Sequence, residues 1–195
     1  CPVTLELGGK NPNIIMSDAD WEIAIPGVID GMRYTRQGQA CTAGSRIYIH
    51  EKIYDKVLNG AVEKLTKLKM GNALDESSDI GAIISEEQLK RTLYYMDIAK
   101  KNPSTKILHG GNQSKGGEYK GGFYYEPTLL SGLPVSSPVC QEEVFGPVAC
   151  AIPFKSFDEV MKSANDTRFG LSAFLWTKDL SRALQFVDEI EAGFV

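Results

Sequence analysis

The spacing of apolar residues switches repeatedly along this chain between a period of two and a period of about 3.6, and that alternation restricts the fold more than any other feature. Short β-branched or aromatic runs bounded by Gly, Pro or Asn fall at residues 3–7, 13–16, 46–50, 106–109, 124–130, 148–153 and 173–177. Between them lie helical patterns at 20–37, 53–69, 85–101, 156–164 and 180–190. Strands alternating with helices predict an α/β fold: a twisted, mostly parallel sheet flanked by helices. Ser85 followed by Gln88, and Ser156 followed by Glu159, match capping boxes, and Gly71 is placed to close the helix that starts near Ile53. Pro26 lies inside the first helical pattern, where its missing N–H predicts a kink or a break. The glycine-rich stretch at 109–123 reads as an exposed loop.

With 195 residues, 43% of them hydrophobic and 24% charged, the chain has material for one sizeable core and no composition break that splits it. The expected organisation is a single domain over residues 1–195. The net charge of −4 supplies no basic stripe for nucleic acid, and no apolar run approaches the length of a membrane span. Four cysteines, at 1, 41, 140 and 150, form neither a CxxC pair nor a disulfide framework, which points to a reducing, cytoplasmic location. Two histidines without a nearby cysteine cluster give no metal site. The sequence begins almost directly on a strand pattern and stops at what reads as the start of another, so a piece of a longer protein is expected.

One segment places a thiol in an unusual setting. Cys41 sits among Gly38, Gln39, Ala40, Thr42, Ala43 and Gly44, between a helical pattern and a strand. An arbitrary free cysteine is most often a small buried hydrophobe, but these neighbours supply little bulk to bury a sulfur, and the glycines let a substrate approach. A nucleophile is the better reading. Glu6, flanked by Leu5 and Leu7 and followed by Gly8-Gly9, is either an outward residue of a half-buried strand or a general base whose desolvation raises its pKa.

Glu6-Leu7-Gly8-Gly9-Lys10 and Gly38-Gln39-Ala40-Cys41 resemble the two signature segments of aldehyde dehydrogenases. Gln141-Glu142-Glu143-Val144-Phe145-Gly146-Pro147-Val148 and Asn165-Asp166-Thr167 with Phe169-Gly170-Leu171 resemble further segments of that family, in the same order. The resemblance implies NAD(P)-dependent oxidation of an aldehyde to an acid: Cys41 forms a thiohemiacetal and then a thioester, and Glu6 acts as base. It also implies that NAD or NADP contacts Leu7, Glu143 and Phe145, with Gln88 a weaker match that its capping role explains more simply. The oxyanion would meet the N–H of Cys41 and an asparagine from an earlier part of the family's chain. By the same comparison the cofactor-binding domain and the C-terminal oligomerisation strand lie outside residues 1–195. The partners implied are a small aldehyde, the remaining half of the protein and, at full length, further copies of it. The chain alone is expected to be inactive. Thr35, Ala40 and Thr42 predict a weakly charged pocket suited to a small aliphatic or amino-aldehyde. Two other readings of the same residues are a cofactor-independent cysteine acyl hydrolase, which would need His50 or His109 beside the thiol, and a non-catalytic binding protein that keeps the fold.

Overall fold

The computed structural model describes all 195 residues. Strands β1 (Pro12–Ile15), β2 (Arg46–His50), β3 (Lys106–His109), β6 (Thr128–Ser131), β7 (Val148–Phe154) and β8 (Phe174–Trp176) form one sheet in the order β3-β6-β7-β2-β1-β8. Every neighbouring pair is parallel except β3 with β6. The short strands β4 (Gln113–Ser114) and β5 (Tyr124–Tyr125) make a separate antiparallel pair.

Alternation along the central strands explains the layers. Ile14, Tyr48, Leu130, Cys150 and Ile152 point to one face, and Ile15, Ile47, Ile49, Leu129 and Ala151 to the other. Both sets are apolar, so both faces must be covered, as is usual for parallel strands. Helices α1 (Trp21–Gly31) and α2 (Tyr54–Thr66) cover the second face through Ile25, Val28, Val57 and Leu65. Helices α3 (Glu86–Lys101), α4 (Pro138–Gln141), α5 (Phe157–Asn165) and α6 (Leu180–Glu189) cover the first through Leu89, Met96, Val139, Val160 and Phe186. No helix is long and apolar enough to cross a membrane.

The α/β expectation holds, with local departures. Residues 3–7 are not a strand: residues 1–8 make no backbone hydrogen bond, and Val3, Leu5 and Leu7 are exposed. A period-two pattern becomes a strand only beside a free edge, and this segment has none. The run at 124–130 is split at Pro127, which has no N–H to donate to a ladder. Helix α1 runs unbroken through Pro26, and the chain leaves it instead at Met32. Helix α2 closes at Lys67 in an ordinary right-handed conformation, before Gly71, which bonds Ile80 across an isolated bridge. Within the glycine-rich stretch a short strand and a 3-10 turn form.

Arg46 ties the layers together. It is fully buried at the start of β2, and its guanidinium donates to the carbonyls of Lys10 (2.8 Å), Ser163 (3.1 Å) and Ala164 (2.8 Å). Two of these are end carbonyls of α5, where a cation is favoured by the helix dipole.

Candidate active site

Five strands run parallel, so their N-terminal ends lie along one rim. Residues 8–11 lead into β1, 40–45 into β2, 142–147 into β7 and 171–173 into β8. All the motif residues that the sequence singles out arrive on that rim, although ligands of open α/β sheets usually gather at the other, C-terminal one.

The thiol-bearing loop is built from tight turns. After Met32 the backbone takes left-handed conformations at Arg33 (φ 58°) and Gln37 (φ 55°), on either side of a 3-10 turn at Tyr34–Arg36, and again at Gly38 (φ 63°). A side chain at Gly38 would also strike the Gly146 carbonyl, so glycine is required there on two counts. Tyr34, buried, donates its hydroxyl to the Thr128 carbonyl at 2.9 Å and pins the turn to the sheet.

Cys41 is half-buried, and its backbone N–H donates to no group of the protein. Its carbonyl is held from the neighbouring segment. Asn11, 2% exposed, donates Nδ2 to Cys41 O at 2.7 Å and to Ala43 O at 2.9 Å, while its Oδ1 accepts from Ser172 N at 3.0 Å. One side chain thus joins the segments that enter β1, β2 and β8. Gly9 packs its backbone directly against the Cys41 carbonyl, which any larger residue would strike.

The acidic-aromatic turn is fixed by α3. Gln88, Arg91 and Tyr95 lie on one helical face and all reach it. Gln88 Nε2 donates to Val144 O (3.0 Å) and Phe145 O (2.7 Å), Arg91 Nε to Glu143 O (3.2 Å), and Tyr95 OH to Glu142 Oε2 (2.8 Å). This corrects the simple capping reading of Gln88. Ser85 Oγ does accept from Gln88 N at 3.2 Å, but the Gln88 amide turns away to the turn it supports. Phe145 is held at φ 53°, a conformation that costs a bulky residue about 1–3 kcal/mol and persists only where surrounding contacts impose it. Gln88→Ala leaves two part-buried carbonyls unpaired, and a loss of about 2 kcal/mol is expected, read as a Tm lowered by roughly 4–8 °C.

Burial, and the bond to Glu142, push the Tyr95 phenol up to about 12. A phenol raised in the folded state from about 10 favours folding while it stays protonated. Its contribution is therefore complete below about pH 10 and lost as pH rises to 12. In denaturant melts, the stability difference between the wild-type chain and Tyr95→Phe should shrink across that window.

Cys41, Glu6, Leu7, Glu143 and Phe145 line one cavity of about 490 Å³, with Arg36 on the same wall. Glu143 accepts from Gly9 N at 2.9 Å through Oε1. Glu6 does not occupy the apolar setting expected for it: it is exposed, and Leu5 and Leu7 beside it are 67% and 64% exposed, because nothing in the chain packs on residues 1–7. His50 accepts from Lys52 N and packs edge-on to Phe154, and His109 binds the Pro127 carbonyl. Neither lines the Cys41 cavity, so the histidine an acyl hydrolase would use is not beside the thiol. Cys140 and Cys150 are buried, Cys150 Sγ donates to the Val139 carbonyl at 4.0 Å, and the neighbouring Cys140 thiol together with burial pushes the Cys150 thiol well up. Buried Lys10 lies close to both, its ammonium destabilised by desolvation.

Two residues that sequence reasoning passed over are Asn11 and Arg91. The signal for Asn11 was a polar residue directly ahead of Pro12 at the mouth of an apolar strand, where the side chain has carbonyls within reach on both flanks.

The sequence matches the aldehyde dehydrogenase family over residues 1–195. It is 42% identical to an aldehyde dehydrogenase of Rhodospirillum rubrum, over 100% of this chain and 39% of that protein. It is 40% identical to a D-glyceraldehyde dehydrogenase (NADP(+)) of Picrophilus torridus, over 97% of this chain and 38% of that protein. The structure superposes on the NAD+ complex of aldehyde dehydrogenase from Bacillus cereus with a TM-score of 0.93 at 36% identity, covering 100% of this chain and 38% of that one. The chain thus spans about two-fifths of the length of the relatives it matches. With the whole chain matched by sequence and by fold, it belongs to the aldehyde dehydrogenase family.

Proposed function

We propose that residues 1–195 are the thiol-bearing catalytic domain of an NAD(P)-dependent aldehyde dehydrogenase that oxidises an aldehyde to a carboxylic acid. The observation that carries this reading is the single cavity shared by Cys41, Glu6, Leu7, Glu143 and Phe145, which come from three separate stretches of sequence. Catalysis then belongs to the longer protein, whose remaining part supplies the dinucleotide-binding domain and the contacts between copies. It works in the cytoplasm, where the four free thiols stay reduced.

The cavity wall suits a nicotinamide nucleotide. Glu143 offers a carboxylate to ribose hydroxyls and is already oriented by Gly9 N–H, Phe145 presents its ring, and the backbone groups of Leu7 are unpaired and able to meet a carboxamide. When bound, the nicotinamide supplies the hydride acceptor.

The Cys41 thiolate attacks the aldehyde carbon, and the free N–H of Cys41 meets the charge that develops on oxygen. Asn11 and Gly9 hold the Cys41 carbonyl, which fixes the direction of the adjoining peptide groups. Loss of hydride turns the Cys41 thiohemiacetal into a thioester. Glu6 then takes a proton from water, which attacks the thioester, expels the thiolate and leaves the acid. Glu6 lies on a stretch without backbone bonds and reaches the cavity from its rim. The exposed Leu5 and Leu7 are the surface that the rest of the protein covers, and that covering gives Glu6 the desolvation a base near neutral pH needs.

In the full-length enzyme, Glu6→Gln is expected to lower kcat by about 10²–10⁴-fold while Cys41 still reacts with aldehyde. Steady-state turnover beside a single-turnover burst of NAD(P)H measures both. A fall in the burst equal to the fall in kcat would assign Glu6 to an earlier step and remove it as the base for hydrolysis.

A further inference from the structure

A closed circuit of hydrogen bonds joins the nucleophile loop to the acidic-aromatic turn. On one side Asn11 holds Cys41 O at 2.7 Å, and two residues earlier Gly9 N–H donates to Glu143 Oε1 at 2.9 Å. On the other side the link is Gln39. Its Oε1 accepts from Ile84 N at 3.0 Å, 45 positions on, and its Nε2 turns back to Arg36 O at 3.4 Å. Ile84 directly precedes Ser85, the N-cap of α3, and α3 carries Gln88, whose Nε2 holds Val144 O and Phe145 O. Gln39, Cys41, Glu143 and Phe145 all line the one cavity. Both ends of the Gln39 link are anchored. Ile83 is 2% exposed and donates its N–H to Phe123 O at 2.9 Å, which pins the stretch that offers the Ile84 N–H. Between Gln39 and Cys41, Ala40 O accepts from Ala43 N at 3.0 Å, which fixes the peptide that carries the Cys41 N–H.

We propose that Gln39 is a positioning residue for the oxidation step: through Ile84 it ties the nucleophile loop to α3, so that Cys41 and the Glu143–Phe145 turn are held at one fixed separation. This rests on Cys41 being the nucleophile of an aldehyde oxidation and on that turn holding the nucleotide. Gln39 touches no reacting atom in this role. Hydride transfer needs its two carbon centres in near-contact, so a displacement of the loop by a fraction of an ångström costs rate without unfolding the chain. Attack of the thiol on a small reagent that diffuses freely to it has no such requirement. Loss of the bond between Gln39 and Ile84 therefore slows oxidation and leaves the intrinsic reactivity of the sulfur in place.

Gln39→Met, which keeps the length of the side chain and removes its acceptor, tests this in the full-length enzyme. Hydrogen exchange without nucleotide reads the bond itself, and the Ile84 amide should exchange about tenfold faster than in wild type. The single-turnover burst of NAD(P)H should slow about tenfold, while alkylation of Cys41 by iodoacetamide stays within about twofold of wild type. Gln39→Glu retains an acceptor for the Ile84 N–H and should recover most of the burst at a pH high enough to ionise the thiol beside the new charge. Ile84→Pro removes the same bond from its other end, because proline has no N–H, and should reproduce the split between burst and alkylation with the cavity wall intact. Unchanged Ile84 exchange or an unchanged burst in Gln39→Met overturns the proposal. So does a fall of burst and alkylation together, which would make Gln39 a structural support of the loop. A wild-type burst that survives Cys41→Ala overturns the nucleophile assignment and the proposal with it, an outcome separate from a Cys41-dependent burst that Gln39→Met leaves intact.

Discussion

Cys41→Ala is expected to abolish aldehyde oxidation by the full-length enzyme, with kcat reduced at least about 10⁴-fold and the fold unchanged. Cys41 lies half-buried in a loop where no side chain depends on its sulfur, so the loss would be one of chemistry. Circular dichroism and thermal melts beside the kinetics separate the two. Cys140→Ala and Cys150→Ala should behave in the opposite sense. Both thiols are buried in the core against each other, and truncating them costs stability while the Cys41 cavity stays intact.

The second large effect is expected at Asn11, which touches no reacting atom. Its side chain satisfies Cys41 O, Ala43 O and Ser172 N at once; Ala43 O also accepts from Ser45 N, so Asn11→Ala leaves Cys41 O and Ser172 N without a partner in a region that water hardly enters. At about 1–3 kcal/mol for each buried group left unpaired, the loss is roughly 2–6 kcal/mol. For a chain of this size that lowers Tm by about 5–20 °C. Asn11→Asp has the same shape yet should be at least as damaging, because a carboxylate has no proton to give the two carbonyls and places a buried charge against them with only the Ser172 N–H to meet it. An Asp variant as stable as wild type would mean that the three bonds do not hold the loop.

How much of this was legible beforehand depended on whether a property is local. The strands at 46–50 and 106–109 fall where the pattern placed them, and the helix opened by Ser85 starts at Glu86, because apolar spacing and N-caps are written in neighbouring residues. The pairing of β3 antiparallel to β6, the break at Pro127 and the failure of residues 3–7 to become a strand depend on which edges are free, and no short window contains that. The site divides in the same way. Cys41, Glu6, Leu7, Glu143 and Phe145 could be named from motifs, yet their meeting at the N-terminal rim follows only from sheet order. Asn11 and Gln88 act across the fold, on partners 30 to 161 positions away in sequence, and neither stands out in its own segment except as a polar residue at an element's start.

The central claim is that Cys41 carries the acyl group between oxidation and hydrolysis. The most direct test is acid quench of the full-length Glu6→Gln enzyme during turnover with aldehyde and NAD(P), followed by mass spectrometry of its cysteine peptides. The Cys41 peptide should carry the mass of the acyl group, the peptides containing Cys1, Cys140 and Cys150 should not, and the adduct should disappear when Cys41 is also replaced by alanine. An acyl group on another residue, or turnover with no adduct at Cys41, would contradict the account.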